Sequence, residues 1–114
     1  MTDIYTDASG KTGRYCYVVD EPSNKKVRIF EKKGITNNEG EYLAIIAALK
    51  ENTEKNISIY SDSQLVVNQL NHEFAIKNDK LRDLAQEIWK LSEDRNIHFY
   101  WIPRNKNKAG KVLG

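Results

Sequence analysis

The segment EYLAIIAALK at residues 41–50 is built from strong helix formers and is apolar on nearly every side. A helix of that kind has no face to give to water, so the rest of the chain must wrap around it. What flanks it narrows the choice. Before it, IYTD (4–7) ends one apolar run; after it, IYSD (59–62) ends another. Two strands joined through a helix can lie parallel in one sheet, and such crossovers are almost always right-handed. A lone Asp after a strand ordinarily caps a turn or a following helix. Here two matching cases raise a second possibility. If the two runs are neighbours, Asp7 and Asp62 leave adjacent strands at one C-terminal edge, each sharing a face with the Tyr two positions before it. At ~4.8 Å between strands the carboxylates would repel, and cations between them are the natural remedy.

The remaining elements follow from local pattern. Residues 3–8 alternate as a strand, SGKTG (9–13) is a turn, and RYCYVV (14–19) is aromatic and β-branched enough for a second strand. DEPSNK (20–25) is turn chemistry and KVRIFEK (26–32) a third strand, so the first three form an antiparallel meander. After the buried helix, NISIYS (56–61) is a fourth strand and SQLVVNQL (63–70) a short helix that Ser63 can cap. Leu81, Leu84, Ile88 and Leu91 keep helical spacing through 78–94, and IHFYWI (97–102) is a fifth strand ended by Pro103. The order βββ-α-β-α-α-β predicts an α/β fold. At 114 residues the chain is expected to form one domain, residues 1–114.

A third acid stands where the buried helix begins. Glu41 shares a stripe with Ala44, Ile45 and Ala48 and so points inward. Spacing alone favours a capping box, with Asn38 at the cap and Glu41 three residues on. The competing reading is that Glu41 joins Asp7 and Asp62, because an inward carboxylate is costly unless paired. Three acids on one edge suit a hard divalent cation held by oxygen alone. His72 and His98 are isolated and Cys16 is single, so no zinc cluster is expected.

Other function classes recede. With 39% hydrophobic and 30% charged residues the composition suits a soluble globular chain rather than a disordered one. No apolar run approaches the roughly 18 residues of a membrane span. MTDIYTDASG lacks a basic stretch followed by an apolar one, so no leader is expected, and the single cysteine fits a reducing, cytoplasmic setting. Net charge is only +2, but Arg104, Lys106, Lys108 and Lys111 crowd the last fourteen residues without an acid. Such a tail is most often a solvated end, and it could also follow a phosphate backbone.

YTDAS, TNNEGEYLAIIAAL and IYSDSQLVV, in this order and spacing, resemble the type 1 ribonuclease H family; FAIKNDKLR (74–82) and FYWIPRNKNKAGKVL (99–113) extend the likeness over nearly the whole chain. The resemblance implies a ribonuclease H-like five-stranded mixed sheet, three strands antiparallel and then parallel strands, with helices on both faces. It implies endonucleolytic hydrolysis of the RNA strand of RNA–DNA hybrids, leaving 5′-phosphate and 3′-hydroxyl ends. Asp7, Glu41 and Asp62 match three of the family's four metal-binding acids, for two Mg²⁺ or Mn²⁺ ions with substrate. Thr36 matches a contact to the DNA-strand phosphate, Asn37, Asn38 and Gln64 match residues in the hybrid's minor groove, and Ser9 lies near the RNA strand. Such contacts read A-form shape and 2′-hydroxyls rather than bases. A monomer is the default expectation, with no membrane partner.

The chain departs from the family at its end. Where relatives continue PRxxNxxADxLA, this sequence has PRNKNKAGKVLG, so the fourth Asp falls on Lys111 or, with one deletion, on Gly110. Asn107, water or a substrate phosphate could stand in for it. There is also no long basic insertion between residues 70 and 78. These departures motivate an alternative: a catalytically impaired module of the same fold that binds hybrid without cutting it.

Overall fold

The computed structural model describes residues 1–113. Strands β1 (Thr2–Ser9), β2 (Arg14–Glu21) and β3 (Asn24–Glu31) form the meander; α1 (Asn37–Glu51) leads to β4 (Asn56–Ser61); α2 (Gln64–Leu70) and α3 (Asp79–Leu91) precede β5 (Asn96–Trp101). The sheet order is β3-β2-β1-β4-β5, with β1 parallel to β4 and β4 parallel to β5. Tyr5 stands directly opposite Tyr60, their rings stacked at 5.0 Å, so the two tetrapeptides are in register.

Two boundaries differ from the pattern reading. The turn between β2 and β3 is Pro22–Ser23 alone. Cross-strand pairing of Asp20 with Lys25 and of Glu21 with Asn24 carries both strands past the apolar run, helped by a 3.8 Å Lys25–Asp20 ion pair. Helix α3 stops at Leu91 rather than near 94. Asp94 is left-handed (φ 61°), and the turn it makes delivers the Arg95 guanidinium to the carbonyls of Leu49, Asn52, Glu54 and Leu91. Arg95 thereby ties the ends of α1 and α3 together.

One core holds Ile4, Tyr17, Val19, Ile57, Ile59 and Phe99 from the sheet against Tyr42, Ile45 and Leu49 of α1, Val66 and Leu70 of α2, and Leu81, Ala85 and Ile88 of α3. All three helices therefore lie on one face, where the family resemblance implied helices on both. The opposite face carries the row Val27, Val18, Tyr5, Tyr60 and Tyr100. Across it, residues 103–113 run as a short 3-10 turn (Arg104–Lys106) and further turns. Pro103 and the Asn107 side chain, which accepts from the Ala109 N–H at 3.0 Å, favour turns over a helix. Among the described residues, no helix is long and apolar enough to cross a membrane.

Candidate active site

The start of α1 shows which glutamate closes the capping box. Thr36, not Asn38, is the N-cap: its hydroxyl accepts from the Glu39 N–H at 3.1 Å, and Glu39 returns to the Thr36 N–H at 3.2 Å. The same three-residue spacing was available two positions earlier, and Thr36 with Glu39 satisfies it. Glu41 is thus released from the cap and turns toward the sheet edge. Two close approaches bring it there. A Cβ on Gly40 would come within 2.8 Å of the Ala8 Cβ, and one on Gly10 within 2.6 Å of the Asn37 nitrogen. Glycine at both positions lets α1 and the β1–β2 turn sit against β1.

Asp7, Glu41 and Asp62 each offer an oxygen, and these atoms lie within 4.8 Å of one another. Asp7 and Glu41 are almost wholly buried. Burial, followed by the neighbouring carboxylates Asp7 and Asp62, pushes Glu41 up to about 8. Asp7 is also raised, first by burial and then by Asp62, with the Ala8 amide and Arg104 pulling the other way. Ser61 donates its hydroxyl to Glu41 at 3.2 Å. Asn107, 1% exposed, donates to Asp62 Oδ2 and to the Thr6 carbonyl, both at 2.9 Å. The acids open into a cavity of about 530 Å³ lined also by Ser9, Gly10, Lys11, Asn37, Ser63 and Arg104. An oxygen-only set of three converging carboxylates, in which Asp7 and Glu41 are raised by burial and by their acidic neighbours, could hold a hard divalent cation.

Of the residues singled out from the sequence, Asp7, Glu41, Asp62, Ser9 and Asn37 meet around this cavity. Asn37 Oδ1 accepts from the Gly10 N–H at 3.1 Å, joining the β1–β2 turn to the helix start. Thr36 and Asn38 lie beside it at the cap and first turn of α1, and Gln64 is exposed at the first position of α2; none of the three lines the cavity. Neither Lys111 nor Gly110 lines it either. The cations that do are Lys11 and Arg104, which the sequence reading did not place in the site. Arg104 carries a faint signal there, standing three residues before Asn107 in PRNKN.

The family model for RNase H matches residues 1–111. A ribonuclease H from Desulforamulus reducens is 33% identical over 94% of this chain and 76% of its own length. A putative hydrolase, EbsB, from Enterococcus faecalis is 28% identical over 99% of this chain and 90% of its own. Among solved structures, LC11-RNase H1 in complex with an RNA/DNA hybrid superposes with a TM-score of 0.82 at 25% identity, covering all of both chains.

Proposed function

The chain belongs to the RNase H family, and on that footing we propose that it hydrolyses the RNA strand of RNA–DNA hybrids at a divalent-metal centre held by Asp7, Glu41 and Asp62. The observation that carries this reading is the convergence of three carboxylates from β1, α1 and the end of β4 into one cleft. The hybrid-bound relative with the same fold supports the choice of substrate. Two Mg²⁺ or Mn²⁺ ions, when bound with substrate, supply Lewis-acid polarisation of the scissile phosphate and activation of the attacking water. The protein's part is to hold and orient. Asp7, Glu41 and Asp62 would hold the ions through their carboxylate oxygens. Ser61 fixes Glu41, and Asn107 fixes Asp62 while satisfying a buried carbonyl. Arg104 adds a positive charge on the cavity wall for the phosphate undergoing attack. Ser9, Thr36, Asn37, Asn38 and Gln64 flank the cleft as contacts to the hybrid, and the cleaved strand leaves with 5′-phosphate and 3′-hydroxyl ends.

A second reading has its own support. By the resemblance the family's fourth acid falls on Lys111 or Gly110, and the cavity wall carries the cations Lys11 and Arg104. It makes the protein a hybrid-binding module with impaired cleavage. The deciding experiment is incubation of a labelled hybrid with the protein in Mg²⁺ and in Mn²⁺, alongside Asp7→Asn. Cutting of the RNA strand that vanishes in Asp7→Asn upholds the hydrolase. Salt-dependent binding with no cutting in either metal upholds the module. A monomeric state and a cytoplasmic setting belong to both readings, and sedimentation tests the first.

A further inference from the structure

Cations on this molecule divide into two groups. Lys25, Arg28, Lys50, Lys80, Arg82 and Lys108 each pair with a carboxylate. The other twelve do not, among the described residues, and four of these, Lys11, Arg14, Lys32 and Lys33, lie at the sheet edge that also holds the three carboxylates. These four are brought together by the meander. Asp7 sits near the C-terminal end of β1; β2 begins at that edge with Arg14, and β3 ends there just before Lys32 and Lys33. Ser9 of β1 faces Arg14, Arg14 faces Glu31, and the Lys32 N–H donates to the Gly13 carbonyl at 2.9 Å. Lys11 is on the turn between, lining the acid cavity. Lys11, Lys32 and Lys33 are exposed and Arg14 half-buried. The one acid among them, Glu31, is exposed and forms no ion pair with Arg14.

We propose that this edge is a phosphate track: Lys11, Arg14, Lys32 and Lys33 bind the sugar–phosphate backbone of the RNA–DNA hybrid as it leaves the acid cavity across the ends of β2 and β3. The inference rests on the hydrolase or hybrid-binding reading above and adds where the substrate runs. Two strand spacings of ~4.8 Å carry the track about 10 Å beyond β1, room for about three nucleotides at a ~3.4 Å rise. A row of unpaired cations beside an anionic cluster keeps its charge available for a polyanion instead of spending it on internal pairs. The chain has no basic insertion after α2, and the track supplies phosphate contacts from the opposite side of the site. The contacts are to backbone charge alone, so the track contributes affinity without reading sequence.

The test is fluorescence anisotropy of a labelled RNA–DNA hybrid in Ca²⁺ across a salt series, with cleavage measured separately in Mg²⁺ and Mn²⁺. The wild type is compared with Arg14→Ala/Lys32→Ala/Lys33→Ala and with Lys55→Ala, an exposed unpaired lysine just before β4, at the far edge of the sheet. Each lost phosphate contact makes the log–log salt slope shallower by about 1. The triple variant is expected to lose about 2 to 3 in slope and at least tenfold in low-salt affinity, with its thermal midpoint kept and Lys55→Ala matching the wild type. A triple variant that follows the wild-type line overturns the track. If Lys55→Ala weakens binding equally, the effect is net charge and the track again falls. A wild type that binds no hybrid at low salt refutes the parent reading itself, which is a different result. Should the triple variant lose its fold, Lys32→Gln/Lys33→Gln gives the same readout with about two-thirds of the expected change.

Discussion

Glu41 should make the metal-free protein less stable as the pH rises, and replacing it with glutamine should reverse this. In the unfolded chain the carboxyl loses its proton near the ordinary 4.5; in the folded chain it does so only near about 8, because it is buried and faces Asp7 and Asp62. A group whose folded pKa is raised contributes its full stability below the unfolded value and loses it as pH climbs to the folded one. Between 4.5 and pH 7 there are about 2.5 units, at ~1.4 kcal/mol each, an upper bound of roughly 3 kcal/mol. Local relaxation around a buried charge reduces this, so about 1–3 kcal/mol is expected. Glutamine keeps the shape, and its amide NH₂ can donate to the neighbouring carboxylates. The assay is urea denaturation of wild type and Glu41→Gln in EDTA from pH 4.5 to 8. Near pH 4.5 the two should agree within about 0.5 kcal/mol; at pH 7 the variant should be more stable, with a midpoint higher by about 0.5–1 M urea. Adding Mg²⁺ should then stabilise the wild type, by about 2.7 kcal/mol at a hundred times its Kd, and leave the variant behind. Parallel curves across the whole pH range would refute the reasoning, as would a variant less stable than wild type at pH 7 without metal.

The remaining expectations concern the supports of the site. Asn107→Ala strands the Thr6 carbonyl and the Ala109 N–H in the interior and should cost about 2–4 kcal/mol in denaturant unfolding, with divalent affinity falling as Asp62 loses its partner. Gly40→Val places a Cβ within 2.8 Å of the Ala8 Cβ and should cost about 1–3 kcal/mol or more, read as a lowered thermal midpoint. Thr36→Ala removes the capping hydroxyl of α1 and should cost about 1 kcal/mol, measured the same way. Lys111→Asp should leave calorimetric Mg²⁺ affinity unchanged within about twofold, because residue 111 is exposed and away from the acid cavity; a tenfold gain (about 1.4 kcal/mol) would show that an acid at 111 reaches the ions.

Much of this protein is written in local pattern. The unbroken apolar surface of EYLAIIAALK demanded burial, and the alternation around Ile4 and Ile59 made two strands that a helix could join in parallel. From those two facts the meeting of Asp7 with Asp62 follows, since parallel neighbours deliver equivalent positions to one edge. The capping box was legible as a motif but not in its placement. T-x-x-E at 36–39 and N-x-x-E at 38–41 satisfy the same spacing rule, and only the packing of Gly40 on Ala8 shows which Glu turns inward. Side chains that act across long sequence separations were not legible. Asn107 bonds a carbonyl 101 residues away and Arg104 enters the cleft from the short 3-10 turn after β5. Nor does any local signal say that, among the described residues, turns rather than a helix cross the tyrosine row.

The sequence by itself determined the order of elements, the buried helix and the acid at each strand end, because periodicity and propensity act over a few residues. The tertiary structure alone decided that Glu41 joins the acids, that Asn107 and Arg104 border them, and that four unpaired cations line the same edge. Those outcomes depend on distances between segments far apart in the chain, and only the folded packing sets such distances.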